Sequence, residues 1–338
     1  MKRSHPGKPL IPVALLLALA SCGGDTPTAP TSPAATSRPG MSTTARSYLD
    51  QVLNTMQTNS INRKTIDWTA FRRSVDEVAP TAQSVQDLYP AIRTALGLLD
   101  DHHSFYQGPD GTYVYNPSPR GNCTDPTPPV PDIPVAIGYV KVGSFSGSAG
   151  ESVDFAQGIQ NVVRTADRAD LTGWVVDLRH NGGGNMWPMI AGLGPVLGDG
   201  DAGAFIDPDD GIIWWGYRGG ASISGGTALV TVPNPYRLFR QNPRVAVLTN
   251  CAVASSGEAT TIAFRARPDT RSFGTATSGV STANRGYPLT GGGTLQLTVS
   301  TMADRTGRKY GDVVMPDEVI TDPTETVRRA VEWLQSGR

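Results

Sequence analysis

Two short apolar runs, "GWVVDL" at 173–178 and "RVAVL" at 244–248, constrain this chain more than any other feature in it. Each has the length and texture of a buried strand, and each passes through a turn of small residues into a helical pattern. The first is followed by "RHNGGGN" and an apolar segment around "MWPMIAGLGPVL". The second is followed by "TNCAVASSGE", with Ala259, Ile262, Ala263 and Ala266 on the inner face of the next helix. Strands alternating with helices predict an α/β fold of stacked βα units around a mostly parallel sheet.

The flanking patterns extend this reading. Ile137 to Phe145 reads as a strand and Phe155, Ile159, Val162 and Val163 as a helix face. "TLQLTVSTMADR" is a further strand, and Val327, Ala330, Val331 and Leu334 mark a final helix. Between the two apolar runs lies a stretch of tryptophans and glycines that reads as irregular. Upstream, Leu49, Val52, Leu53 and Met56 recur at i, i+3, i+4, i+7, and Leu88, Ile92, Ala95, Leu96 and Leu99 repeat the pattern. Residues 45–110 are therefore expected as a small N-terminal helical domain, 111–136 as a loop, and 137–338 as the core domain.

The first 22 residues read as a processing signal: a basic start, the apolar "LIPVALLLALA", then Leu19-Ala20-Ser21-Cys22. Small residues before a cysteine resemble the bacterial lipoprotein signal, in which Cys22 would carry the lipid. The alternative is an ordinary secretory signal. Residues 23–44, rich in Pro, Ser and Thr, read as a disordered tether. Together these predict an exported protein, lipid-anchored to a bacterial membrane in the cell envelope. A net charge of -1 without basic runs argues against a nucleic-acid surface. Beyond Cys22 only Cys123 and Cys251 remain, either as a disulfide or as two buried thiols, and they offer no zinc-ligand spacing. No cofactor and no metal are expected, and the oligomeric state is not readable.

Chemistry concentrates at the two turns. Ser255-Ser256-Gly257-Glu258 spells a capping box, in which a serine and a glutamate satisfy free amides at a helix start. The same geometry presents a hydroxyl to unpaired N–H groups and the positive end of a helix dipole, where an oxyanion would be stabilised. Glu258 can cap without excluding catalysis. The triple glycine of "DLRHNGGGN" is either a tight turn or a donor of backbone amides; a Walker loop is disfavoured because its lysine is missing. A serine nucleophile needs a base. Past the signal segment the histidines are His102 and His103, beside Asp100 and Asp101, and His180 inside the glycine turn.

In order, "LLDDHHSFY", "GWVVDLRHNGGGN" and "VAVLTNCAVASSGEA" resemble the C-terminal-processing (tail-specific) serine peptidases, whose relatives include the tricorn core and the interphotoreceptor retinoid-binding modules. The resemblance covers roughly residues 45–335. It implies a ClpP/crotonase-like core of stacked ββα units. It also implies Ser255 as nucleophile, His103 as base, and the amides of Ser256 and Gly183 as oxyanion hole. The chain departs from the pattern in several places, the first being Asp100 where a glycine is usual before the histidine. Val280 stands where the Ser-Lys branch has its lysine, and Lys309 lies too far along, so a tricorn-like Ser-His mechanism is favoured. Tyr310 stands where the tricorn core has an acid, leaving Asp101 and Asp304 as candidates to orient His103. There is also no room for a PDZ insert before Ile137. The expected activity is peptide-bond hydrolysis on a protein or peptide substrate. The rivals are a non-catalytic peptide- or small-ligand-binding module, with an apolar cleft beside "WWGY", and an esterase.

Overall fold

The structure, a computed structural model, describes residues 40–117, 123–125, 128 and 131–336. The expected signal segment, Cys22 and the tether up to residue 39 lie outside the described residues. Helix α1 (Thr43–Asn59) already takes up the last two residues assigned to the tether, because Ser42 caps it by accepting from the Ala45 amide. Its stripe Leu49, Val52, Leu53 and Met56 is buried as the periodicity predicts. Helix α2 (Trp68–Asp76) starts on Asp67, whose carboxylate accepts from Thr69 and Ala70. Helix α3 (Tyr89–Leu98) buries Ala91, Ile92, Ala95 and Leu96.

Two short strands follow, β1 (Phe105–Gln107) and β2 (Tyr113–Tyr115), where a helical domain and then a loop were expected. After them come β3 (Ile137–Lys141), α4 (Ala149–Ala166), β4 (Gly173–Asp177) and α5 (Met186–Leu197). Next are β5 (Gly200–Ile206), β6 (Ile212–Arg218), β7 (Ala221–Ser224) and β8 (Thr227–Thr231). The stretch read as irregular is thus an antiparallel meander, turning at Gly219-Gly220 and Gly225-Gly226. The chain continues through β9 (Val245–Thr249), α6 (Ser256–Ala263), β10 (Thr270–Gly274), β11 (Thr282–Pro288), β12 (Thr294–Asp304), β13 (Glu318–Val319) and α7 (Pro323–Gln335).

One sheet is parallel, in the order β13-β10-β9-β4-β3. Both of its faces are covered, which is why its central strands read as unbroken apolar runs. Along β4, Trp174 and Val176 pack with α4, α5 and α6 residues such as Ile159, Ile190 and Ile262. Val175 packs on the other face against Val327, Ala330 and Leu334 of α7.

The second sheet is antiparallel, in the order β2-β1-β12-β5-β6-β7-β8, with β11 also paired to β12. Strand β12 is its long member. It pairs with β1 near Gln296 and with β5 near Ala303, so one strand serves the helical end and the core alike. Leu295 and Leu297 of β12 join Leu53, Ile92 and Leu96 in one apolar cluster. The stripes of the three helices close on β12 together with Tyr106 of β1 and Val114 of β2, and the described residues form one compact unit rather than a separate helical domain. Cys123 and Cys251 form a disulfide, with Cα atoms 5.2 Å apart across a separation of 128 residues.

Candidate active site

Ser255 occupies the sharp turn between β9 and α6, with φ 53° and ψ -114°. A non-glycine residue stays there only if its surroundings hold it, and two elements do. Glu258 is fully buried, and its carboxylate takes four hydrogen bonds. Oε2 accepts from the amides of Ser255 (2.9 Å) and Val280 (3.0 Å); Oε1 accepts from the Gly279 amide (2.8 Å) and the Thr277 hydroxyl (2.6 Å). Burial pushes its carboxyl above the usual carboxylate range, while those four donors pull it back. Asn181 of the glycine turn supplies the second brace, its carbonyl accepting from the Ala254 amide at 3.0 Å. Gly257 lies so close that a Cβ there would stand 2.2 Å from that same carbonyl oxygen.

His103 reaches the serine from the loop after α3. Asp101 pins this loop: its Oδ1 accepts from the amides of His103 (3.0 Å) and Ser104 (2.8 Å), and its Oδ2 from the Ser104 hydroxyl (2.6 Å). Asn284 of β11 donates to the His103 carbonyl at 2.9 Å. Thus held, the imidazole lies between two hydroxyls, with Nε2 3.0 Å from Ser255 Oγ and Nδ1 2.8 Å from Thr282 Oγ1. Burial lowers its pKa to about 4, against the opposing pull of the Asp101 charge.

The structure brings together Ser255, His103, Ser256 and Glu258 and sets other candidates apart. Asp101 supports the backbone of His103 and does not face its ring nitrogens. Asp304 does not reach the histidine: its carboxylate holds the turn of Thr306 and Arg308 and the Tyr310 hydroxyl. The partner of Nδ1 is Thr282, at the start of β11. Nothing in the sequence marks this threonine beyond its place two residues after Val280. Among the other histidines, His102 lies 3.3 Å from Asp100, and the His180 amide donates to Asn250. Val280, at the position of the missing lysine, does line the cleft.

The two oxyanion candidates differ. The Ser256 amide is in the first turn of α6, where helix N–H groups have no intrahelical acceptor. Gly183 is adjacent, and a Cβ on it would stand 2.9 Å from Ser255 Cβ and 3.0 Å from Ser256 N. Its own amide, however, donates to Asn181 Oδ1 at 3.0 Å.

These groups open onto a cleft of about 1070 Å³. Its lining includes Phe105, Tyr115, Trp187, Phe205 and Ile213, with Ala283 and Arg285 contributed by β11 and Ser300 by β12. The apolar wall expected at "WWGY" is supplied by its neighbours, because Trp215 and Tyr217 are buried in the main core. Among the described residues, thiol and carboxylate groups close enough to share an ion occur at Cys123, Asp125 and Cys251, whose sulfurs are bonded to each other.

Comparison with known proteins agrees with this architecture. A nisin-resistance protein of Lactococcus lactis subsp. lactis is 24% identical over 289 residues, 86% of either chain. A lipoprotein from Streptococcus agalactiae superposes with a TM-score of 0.67 at 22% identity, over 86% of this chain and 96% of that one. The photosystem II D1 C-terminal processing protease superposes with a TM-score of 0.56 at 17% identity, over 87% of this chain and 100% of that one. The model of peptidase family S41 matches residues 136–320. That match takes in β4 with its glycine turn, the Ser255 elbow and Thr282, over more than half of the sequence, and the chain belongs to peptidase family S41.

Proposed function

We propose that the protein is a serine peptidase that hydrolyses peptide bonds by a Ser-His mechanism. The observation that carries this reading is the 3.0 Å approach of His103 Nε2 to Ser255 Oγ. A serine hydroxyl is a poor nucleophile near neutral pH unless a base is aimed at it. In the proposed mechanism His103 holds its proton on Nδ1, donating it to Thr282 Oγ1, which leaves Nε2 free to accept from Ser255 as the alcohol attacks the carbonyl. The imidazolium then returns the proton to the leaving amine, and water clears the acyl-enzyme through the same base. The Ser256 amide and the α6 N-terminus stabilise the oxyanion. Gly183 is the second donor, its amide leaving Asn181 Oδ1 for the developing negative charge.

We further propose that the protein works in the cell envelope, tethered through Cys22. Among the described residues no helix is long and apolar enough to cross a membrane. The names of the relatives, a nisin-resistance protein and a lipoprotein, support an envelope enzyme acting on small peptides such as antimicrobial ones.

A fluorophosphonate probe tests the nucleophile. It should label the wild type and not Ser255→Ala, and turnover of a denatured-protein mixture should fall on the order of 10⁴-fold or more in Ser255→Ala and His103→Ala. Equal labelling of wild type and Ser255→Ala would remove the nucleophile assignment. Membrane retention of Cys22→Ser equal to wild type would remove the anchor.

A further inference from the structure

We propose that Asp209, at the tip of the β5–β6 hairpin, is a positioning residue for His103, acting from outside the cleft through Arg63 and Lys64. The proposal rests on the peptidase reading and deepens it, by naming what keeps the base in place against the nucleophile. Strand β11 runs along one edge of β12, so β1 and β5 share the other edge, β1 reaching Gln296 and β5 pairing from Thr301 onward. Residues 297–300 pair with neither, and the loop that carries His103 meets β12 at this seam. Thr298 is fully buried there. Its amide donates to Ser104 Oγ at 2.9 Å, its carbonyl accepts from the Ile61 amide at 2.8 Å, and its hydroxyl donates to Asn284 Oδ1 at 2.9 Å. Asn284 in turn donates to the His103 carbonyl.

The turn that supplies Ile61 also supplies the charges. Asn62 donates to the Leu99 carbonyl at 2.9 Å, at the end of α3 where the His103 loop begins. Arg63 and Lys64 follow, and both pair with Asp209. Lys64 Nζ lies 2.6 Å from its Oδ1 and 2.7 Å from the Pro208 carbonyl, and Arg63 donates to its Oδ2. Residues 61–64 therefore grip β12, α3 and the hairpin at once. The hairpin tip is itself braced. Asp207 Oδ1 accepts from the amides of Asp209 (2.8 Å) and Gly211 (2.9 Å), and Lys309, just past β12, pairs with Asp210 at 3.0 Å. The same hairpin contributes Phe205 and Ile213, paired across its strands, to the cleft. Asp209 and Lys64 are exposed, and exposed ion pairs add little to a fold and are screened by salt. Placement of a base is far more sensitive, since a displacement of about 1 Å can cost about a hundredfold in rate. A contact too weak to matter for stability can thus matter for proton transfer.

The test measures the kinetics of inactivation by an uncharged fluorophosphonate, in which kinact depends on the base and KI on binding. In Asp209→Asn, kinact should fall about tenfold with KI unchanged, and Asp209→Glu should restore it. Raising NaCl from about 0.05 M to about 1 M should lower wild-type kinact towards the Asp209→Asn value and leave that variant nearly unmoved. Both variants should melt with the wild type, since the pair is exposed. Hydrogen exchange of residues 99–106, read by mass spectrometry, should quicken about fivefold in Asp209→Asn while exchange in α7 is unchanged. Wild-type kinact and exchange in Asp209→Asn overturn the proposal. So does a fall in kinact matched by a lower melting temperature and faster exchange throughout, which would make the residue a stabiliser only. Exchange is read without chemistry and separates the two readings. Local quickening in a protein that the probe never labels leaves the clasp and removes the peptidase; full labelling with an unmoved loop in Asp209→Asn does the reverse.

Discussion

His103 faces a neutral hydroxyl on its far nitrogen rather than a carboxylate, and this bears directly on the role proposed for it as a base. Thr282 Oγ1 can hold the ring in one tautomer at 2.8 Å without stabilising the imidazolium as a buried anion would. Removing that acceptor while keeping the shape should cost catalysis and not fold. In Thr282→Val, kcat is expected to drop on the order of 10²-fold, with Thr282→Ser restoring most of it. An unchanged kcat in Thr282→Val would show that Asp101 and the loop orient the ring unaided. Burial places the His103 pKa at about 4, below the ordinary value near 6.5. Turnover needs the neutral ring and is lost as pH falls through the folded-state value, so the acid limb of kcat/KM should lie near pH 4. A limb near 6.5 would mean a solvated imidazole. Stability follows with a stated sign. Between about pH 6.5 and 4 the unfolded chain binds the proton that the folded one refuses, so acid weakens the fold through this residue.

At the scale of elements, the β9–α6 elbow is a knot of close contacts. Gly257 abuts the Asn181 carbonyl, so Gly257→Ala must push the glycine turn away from Ser255. It should cost about 1–3 kcal/mol in denaturant unfolding and abolish fluorophosphonate labelling. Wild-type labelling and stability in this variant would show that the turn is free to shift. Much of the elbow was legible beforehand, because Ser255 and Glu258 are three residues apart and their spacing is local. The donors that complete the Glu258 site, Thr277, Gly279 and Val280, come from a loop 19 to 22 residues on and carry no mark of their partner. The same distinction explains the strands. Helices α1, α3, α4 and α7 show a single stripe at helical spacing, and the parallel strands show continuous apolar runs. Strand β11, "TANRGYP", is polar and paired on one side, and the β5–β8 meander sets aromatics and glycines on both faces, so neither produces a period. Thr282 became visible only through its 2.8 Å contact with His103 Nδ1, on a strand whose ladder aligns it with Thr301 of β12.

Over the whole molecule, two ties hold His103 and Ser255 to one frame. The first is β12, which runs from the helices that deliver His103 to the core that carries Ser255. The second is the Cys123–Cys251 disulfide, which joins the segment after β2 to the turn four residues before the serine. On a loop-entropy estimate, closing a 128-residue loop is worth up to about 5 kcal/mol. Cys123→Ser/Cys251→Ser should therefore melt well below wild type, and reductant should lower the wild-type melting temperature to match. Melting unchanged by either would show that the bridge contributes nothing to the fold. The strand has a further consequence. A crossbeam shared by the two ends of the mouth ties its jaws through one strand, so on the proposed function the groove is suited to a chain laid along it more than to a folded globule. The proposed peptidase would then take its prey already uncoiled, as loose tails or short chains.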